Sequence, residues 1–217
     1  LMRDAPGPPV KIKGDKKPRM ALNQTVAASM AGKQTAIDAM LERVRKRDPS
    51  GGKKIVVLMD GDPSLEEQMM TCMNKAGMAD RVDAVILDIM HAMEYLWDAG
   101  TALHGERARE RIPWVRKHAL AMLKGDIGYV IGGLRITQTK KKLKASQYEA
   151  FNRSITYFEN HKHMMRYDRY LNAGYPIATW LVEWTCGSLI KDRADRSGSR
   201  WSSVGAQAVL NERAIMK

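Results

Sequence analysis

The chain of 217 residues predicts an α/β fold: a core of strands and helices, interrupted by a mostly helical insertion and closed by C-terminal helices. Three observations carry that expectation. Two short apolar runs, "IVVLM" from Ile55 and "AVIL" from Ala84, each end in an aspartate and flank a stretch of helical spacing, the alternation of a parallel or mixed sheet. Beyond His91 the strand signal fades and apolar residues recur three and four positions apart. Hydrophobic residues make up 44% of the chain, enough for one compact domain with an insertion or for two small domains.

Taken in order, Leu1 to about Lys17 is dominated by Pro, Gly and Lys and reads as an extended basic arm over residues 1–22. "NQTVAASM" from Asn23 reads as a strand. Ile37, Leu41 and Val44 recur at helical spacing within Thr35 to Arg47, and "DPSGG" ends that helix and turns the chain. The strand to Met59 has five consecutive apolar residues, which suits a central strand covered on both faces. Leu65 to Ala76 reads as a helix and Ala84 to Leu87 as the next strand.

Residues 92–173 form the insertion. Helical spacing runs through "AMEYLWDA", "WVRKHALAML" and "YEAFNRSITYFENHKHMMRYDRYL", punctuated by Gly105, Gly125, Gly132 and Gly133. Gly174 and Pro176 break the pattern. Helix resumes near Leu181, runs to about Arg193, turns at "RSGSR" and restarts after Ser202 or Ser203, either one a fair N-cap. The core is therefore drawn from residues 23–91 and 174–217. The start inside a proline-rich stretch and the close on "NERAIMK", helical without a stop signal, read as a piece of a longer reading frame.

Lysine and arginine number 36 against 24 acids, a net charge of +12, which favours a polyanionic partner such as nucleic acid. The longest basic run, "TKKKLK" from Thr139 to Lys144, is more commonly a solvated linker than a specific phosphate contact. Cys72 and Cys186 stand alone with no CxxC, which fits a reducing cytoplasm and argues against structural zinc. No stretch approaches the roughly 20 apolar residues of a membrane span, and the start lacks a hydrophobic signal core. A soluble intracellular protein is expected.

Asp60 and Asp88 end the two apolar runs. Ligands of open α/β sheets gather at the carboxyl ends of strands, and acids placed there suit Mg²⁺, a hard cation that takes oxygen ligands and keeps several waters. Two such ions can stabilise both the attacking and the leaving oxygen of phosphoryl transfer. The plainer use is that Asp60 begins a turn and Asp88 caps a helix starting at Ile89. Asp62 completes a DxD after a strand, as in haloacid-dehalogenase-type phosphatases, although "DGDPS" lacks the threonine usual after that motif. "DIMH" puts Asp88 and His91 on one face once the helix has begun. His161 and His163 of "HKH" do not face each other at i,i+2 on a helix and read as surface. Trp97, Trp114, Trp180, Trp184 and Trp201 could stack bases, with packing the commoner use for Trp97 and Trp114. The methionines read as core filler.

From Arg47 onward an ordered set of motifs resembles the bacterial insertion-sequence transposases of the ISKra-like group, relatives of the Mutator-like DDE transposases. The set comprises "VVLMDGD", "ILDIMHAMEYLW", "LKG" at Leu123 to Gly125, "GYPIA" at Gly174 to Ala178, Glu183, "KDR" at Lys191 to Arg193, "SGSRWS" from Ser197 and "GAQAVL" from Gly205. The resemblance implies an RNase H-like core whose acidic triad binds two divalent ions, Mg²⁺ or Mn²⁺, for cleavage and joining of DNA strands. It makes Asp60 the second acid, Glu183 the third, and Asp88 with His91 an accessory DxxH pair. Partners would be transposon ends and target DNA, with a homo-oligomer assembled on them, in the bacterial cytoplasm at the nucleoid. Basic residues expected on DNA are Lys140, Lys141, Lys142, Lys144, Lys191, Arg193, Arg196 and Arg200, because phosphate neutralisation supplies much of DNA affinity.

Two departures stand out. No residue fills the place of the family's first catalytic aspartate, since neither Asp4 nor Asp15 follows an apolar run. The missing aspartate makes the chain alone expected to be inactive; beside Glu183, where the family prefers small residues, Trp180 and Trp184 would further crowd the metal site. The alternative expectations are a degenerate, non-catalytic remnant that only binds nucleic acid, and a phosphatase using Asp60 and Asp62.

Overall fold

In a computed structural model, residues 31–178 are described. The expected arm over 1–22, the strand from Asn23 and the C-terminal helices lie outside these residues. So do Trp180, Glu183, Trp184, Cys186, Lys191, Arg193, Arg196, Arg200 and Trp201.

The described chain is a mostly helical α/β structure around a two-stranded parallel sheet. It runs α1 (Lys33–Arg47), β1 (Ile55–Met59), α2 (Pro63–Lys75), β2 (Val82–Leu87), α3 (Ile89–His104), α4 (Arg111–Leu123), α5 (Ile127–Lys140), α6 (Ala145–His161) and α7 (Tyr167–Asn172). Strands β1 and β2 pair from Ile55 opposite Val82 to Met59 opposite Leu87. Parallel strands need a crossover, because the chain must return to the starting edge, and α2 supplies it.

Val57 and Met59 are buried while the alternate residues Val56 and Leu58 are only half-buried. The expected full cover on both faces of β1 is therefore met on one. Strand β2 is closed differently along its outer edge. Tyr167 and Tyr170, on α7, donate their hydroxyls to the carbonyls of Leu87 and Val85 at 3.0 and 3.4 Å. These two carbonyls alternate along the strand and would otherwise require another strand or water. The aromatic pair thus serves where a third strand could have paired.

The helical region from 92 to 173 packs on α3. Ser154 Oγ donates to the Tyr95 carbonyl at 2.9 Å and Gln147 Nε2 to the Ala102 carbonyl at 2.6 Å. As one partner number rises the other falls, so α3 and α6 run antiparallel. The end of α6 is thereby brought beside the start of α3. Phe151, Phe158, Leu96 and Ala99 are fully buried between these elements and their neighbours.

Met59, Met69, Met73, Met78, Met122, Met164 and Met165 are buried in the same continuous core, as core filler should be, whereas Met40 and Met90 are exposed. Of the four glycines expected to punctuate the helices, Gly105 and Gly125 do so at positive φ. Gly132 and Gly133 instead lie inside α5. At Gly133 a Cβ would sit 3.4 Å from His118 Nε2, an ordinary contact, so neither a turn nor crowding accounts for that glycine.

His118 is buried against Trp114, with ring centroids 4.1 Å apart, and its Nδ1 lies 2.8 Å from the Trp114 carbonyl. A carbonyl can only accept, so Nδ1 carries the proton. Burial pushes the His118 pKa below its ordinary value, and neighbouring Lys117 adds to the effect. The folded state therefore holds this imidazole neutral, while the unfolded chain takes up a proton near pH 6.5. Its contribution is complete above about pH 6.5 and is lost as the pH falls toward the folded value. Thermal melts should show stability dropping as the pH falls below about 6.5, and His118→Gln should flatten that slope. An equal slope in the variant would contradict the assignment.

Candidate active site at the carboxyl ends of the strands

Register alone brings Asp60 and Asp88 together. Met59 is opposite Leu87, so the next residue on each strand leaves the sheet at the same edge, with strands roughly 4.8 Å apart. The Asp88 N–H donates to the Met59 carbonyl at 2.7 Å as the last bond across the pair. Two helices also begin here, α2 at Pro63 and α3 at Ile89. Their dipoles favour negative charge at this edge, and the caps Asp62 and Asp88 supply it.

The acids have different roles. Asp60 is exposed, and its Oδ1 accepts from the Asp62 N–H at 3.2 Å. Asp88 is fully buried and caps α3, its Oδ1 accepting from the Met90 N–H at 2.8 Å. Asp62 caps α2 by accepting from the Ser64 N–H at 2.9 Å and the Ser64 hydroxyl at 2.7 Å, and it also pairs with Lys33. These partners, Lys33 foremost, hold its carboxyl well below the usual carboxylate range. A general acid must keep a proton near neutral pH, so Asp62 is poorly suited to the phosphatase role.

His91 is the third residue of α3, behind the Asp88 cap. Its Nδ1 lies 3.5 Å from Glu94 Oε2. Lys140, Lys141, Lys142 and Lys144 are all exposed around the α5–α6 connection, and none pairs with an acid among the described residues. Exposure suits a solvated linker and a phosphate contact alike. Trp114 packs inside against Phe151 and His118, whereas Trp97 is 37% exposed beneath the Arg111 guanidinium, 5.3 Å from its ring.

"HKH" divides, and half of its surface reading is corrected. His163 is exposed and its Nε2 lies 3.1 Å from Glu66 Oε1. His161 is buried, because α6 ends there with this residue one turn below Tyr157 on the inner face. Its Nδ1 lies 2.8 Å from the Tyr157 carbonyl.

Residues that the sequence did not single out complete the edge. Tyr157 Oη donates to the carbonyl of Asp60 at 2.9 Å. Its ring is stacked on Tyr95 with centroids 3.7 Å apart and planes 11° from parallel. Burial raises the Tyr157 pKa above its ordinary value, and Tyr95, Asp60, Glu94 and Asp88 nearby raise it further. The hydroxyl consequently stays protonated and remains a donor. Only the helical spacing of "TYFENH" was visible in sequence, since its partner Asp60 lies 97 positions away.

Asp60 and Asp88 present oxygen only, the donor type of a hard divalent cation. Among the described residues no three His, Cys, Asp or Glu side chains gather as a complete metal site. Asp60 is the accessible carboxylate at this edge, and Asp88 is buried in its helix cap.

No protein-family model, curated protein or solved structure matches the chain.

Gly61 is the steric keystone of this edge. Its φ is +85°, and a Cβ there would lie 2.7 Å from both Leu87 Cδ1 and Tyr157 Oη and 3.2 Å from His161 Nε2. Gly61→Ala should lower stability by about 2 kcal/mol or more, combining backbone strain with overpacking. An unchanged urea midpoint would contradict this packing.

Proposed function

We propose that this chain is part of a DDE-type DNA transposase, with an RNase H-like core in which Asp60 and Glu183 hold divalent metal ions. One observation carries the reading. After the helical excursion the chain returns to the acid-bearing edge, where the Ile177 carbonyl accepts from the Ile89 N–H at 2.9 Å, one residue beyond Asp88. Glu183 follows Ile177 by six residues, which a trans chain spans in at most roughly 20 Å. An acid from the far side of an eighty-residue insertion is thereby within reach of Asp60. The motif set in the sequence supports the same pairing, and strand β1 has an outer edge without a strand partner among the described residues, where a strand bearing a further acid could add.

In this reading Mg²⁺ or Mn²⁺ supplies charge stabilisation at the phosphoryl oxygens when bound. Asp60 orients that charge from the rigid end of β1. The helix starts at Pro63 and Ile89 add favourable dipoles toward a phosphate. In the displacement, an attacking water or 3′ hydroxyl would form a bond to phosphorus and lose its proton to solvent, while the bond to the leaving 3′ oxygen breaks and that oxygen takes up a proton from solvent. The surplus of positive charge and the exposed lysines at 140, 141, 142 and 144 serve the DNA backbone, with transposon ends and target as partners and a homo-oligomer formed on them.

The test is strand nicking and joining in Mg²⁺ by the protein in its complete reading frame. Asp60→Asn and Glu183→Gln should each reduce the rate at least about 100-fold, as expected for loss of a metal ligand. DNA binding that is salt-sensitive but indifferent to Mg²⁺ and to Asp60→Asn, without nicking, would instead favour the non-catalytic remnant.

A further inference from the structure

We propose that Tyr157 is a positioning residue for Asp60: its hydroxyl, carried on α6, fixes the direction in which the Asp60 carboxylate is presented. The inference rests on the reading of Asp60 as a metal ligand. It adds a component from the helical insertion to a site otherwise built by the strand ends.

The sheet stops one residue before Asp60. The Asp88 N–H to Met59 carbonyl bond is the last bond between β1 and β2, so Asp60 is the first residue of its strand without ladder support. Its carbonyl is held instead by Tyr157 Oη at 2.9 Å. The next residue is Gly61 at φ +85°, and glycine is the residue least able to restrain its neighbour. The Asp60 carboxylate accepts from the Asp62 N–H at 3.2 Å, but the glycine between them leaves that turn conformational freedom. The tyrosine bond removes that freedom at the peptide plane nearest the carboxylate.

Tyr157 is itself held firmly. Its ring lies flat on Tyr95, the seventh residue of α3, and its backbone carbonyl accepts from His161 Nδ1. The contacts close a circuit: Asp60 to Tyr157, Tyr157 to Tyr95, Tyr95 along α3 to its cap Asp88, and the Asp88 N–H back to Met59. Both strand ends are therefore referenced to the same helix pair. Gly61 is part of the device, since a side chain there would displace the tyrosine oxygen.

The experiment measures Mn²⁺ affinity of the chain by electron paramagnetic resonance, using the wild type, Asp60→Asn, Tyr157→Phe and Tyr167→Phe. Tyr157→Phe keeps the stacked ring and removes only the hydroxyl. Tyr167→Phe is the matched control, deleting a similar hydroxyl bond to the carbonyl of Leu87 on the other strand. The expected result is loss of specific binding in Asp60→Asn, weakening of about 10-fold in Tyr157→Phe, and wild-type affinity in Tyr167→Phe. Wild-type affinity in Tyr157→Phe with binding lost in Asp60→Asn would overturn the positioning role alone. Equal weakening in both tyrosine variants would also overturn it, assigning the effect to general packing. Wild-type affinity in Asp60→Asn would overturn the metal-ligand reading on which it rests.

Discussion

Parallel pairing puts the carboxyl ends of β1 and β2 on one edge, and the rest of the described molecule is arranged around that constraint. Antiparallel strands joined by a hairpin would have sent Asp60 and Asp88 to opposite ends. The parallel pair obliges α2 to cross over, places two helix starts at the acid edge, and leaves two lateral strand edges to be managed. On the β2 side the hydroxyls of Tyr167 and Tyr170 take that place. They satisfy backbone carbonyls with side chains that also bury large apolar area, so one aromatic pair serves hydrogen bonding and packing together.

The helical excursion supports the sheet at the same edge from which it departs. Helix α3 leaves directly from the Asp88 cap, α6 returns antiparallel to it, and the segment reaching Ile177 is tied back to Ile89. Tyr95 and Tyr157 stack across this helix pair. Substitutions in the insertion can consequently reach the strand ends through short, identifiable contacts, without any general change in shape. At the opposite end of the sheet the contacts are of another kind. The Asp48–Arg81 pair joins the two segments that enter the strands, and the Tyr175 hydroxyl, from the segment after α7, bonds Asp83 near the start of β2.

The local features were legible in the sequence because they have local causes. The apolar runs ending at Met59 and Leu87, the helix after Pro63 and the Asp88 cap each follow from neighbours within about one helical turn. Asp62 was legible as a carboxylate near the strand end, while its capping of α2 was eclipsed by the DxD spacing. Glycine was ambiguous for a related reason: Gly125 turns the chain, whereas Gly133 lies inside α5, and composition is the same for both. The pairing of Tyr157 with Asp60 and the burial of His161 were not legible, because they depend on how α6 docks far along the chain. A tyrosine at helical spacing looks alike whether it faces an apolar core or a carbonyl.

The central claim is that a divalent ion sits at the Asp60 edge and is shared with the segment following Ile177. Metal-directed cleavage tests this most directly, with Fe²⁺ in place of Mg²⁺, ascorbate and peroxide to generate hydroxyl radicals, and mass spectrometry to map the backbone cuts. The account predicts two clusters of cuts, one at residues 59–62 and one around Glu183, both suppressed by excess Mg²⁺. Cuts confined to other acidic stretches, such as Glu106 to Glu110, would contradict it.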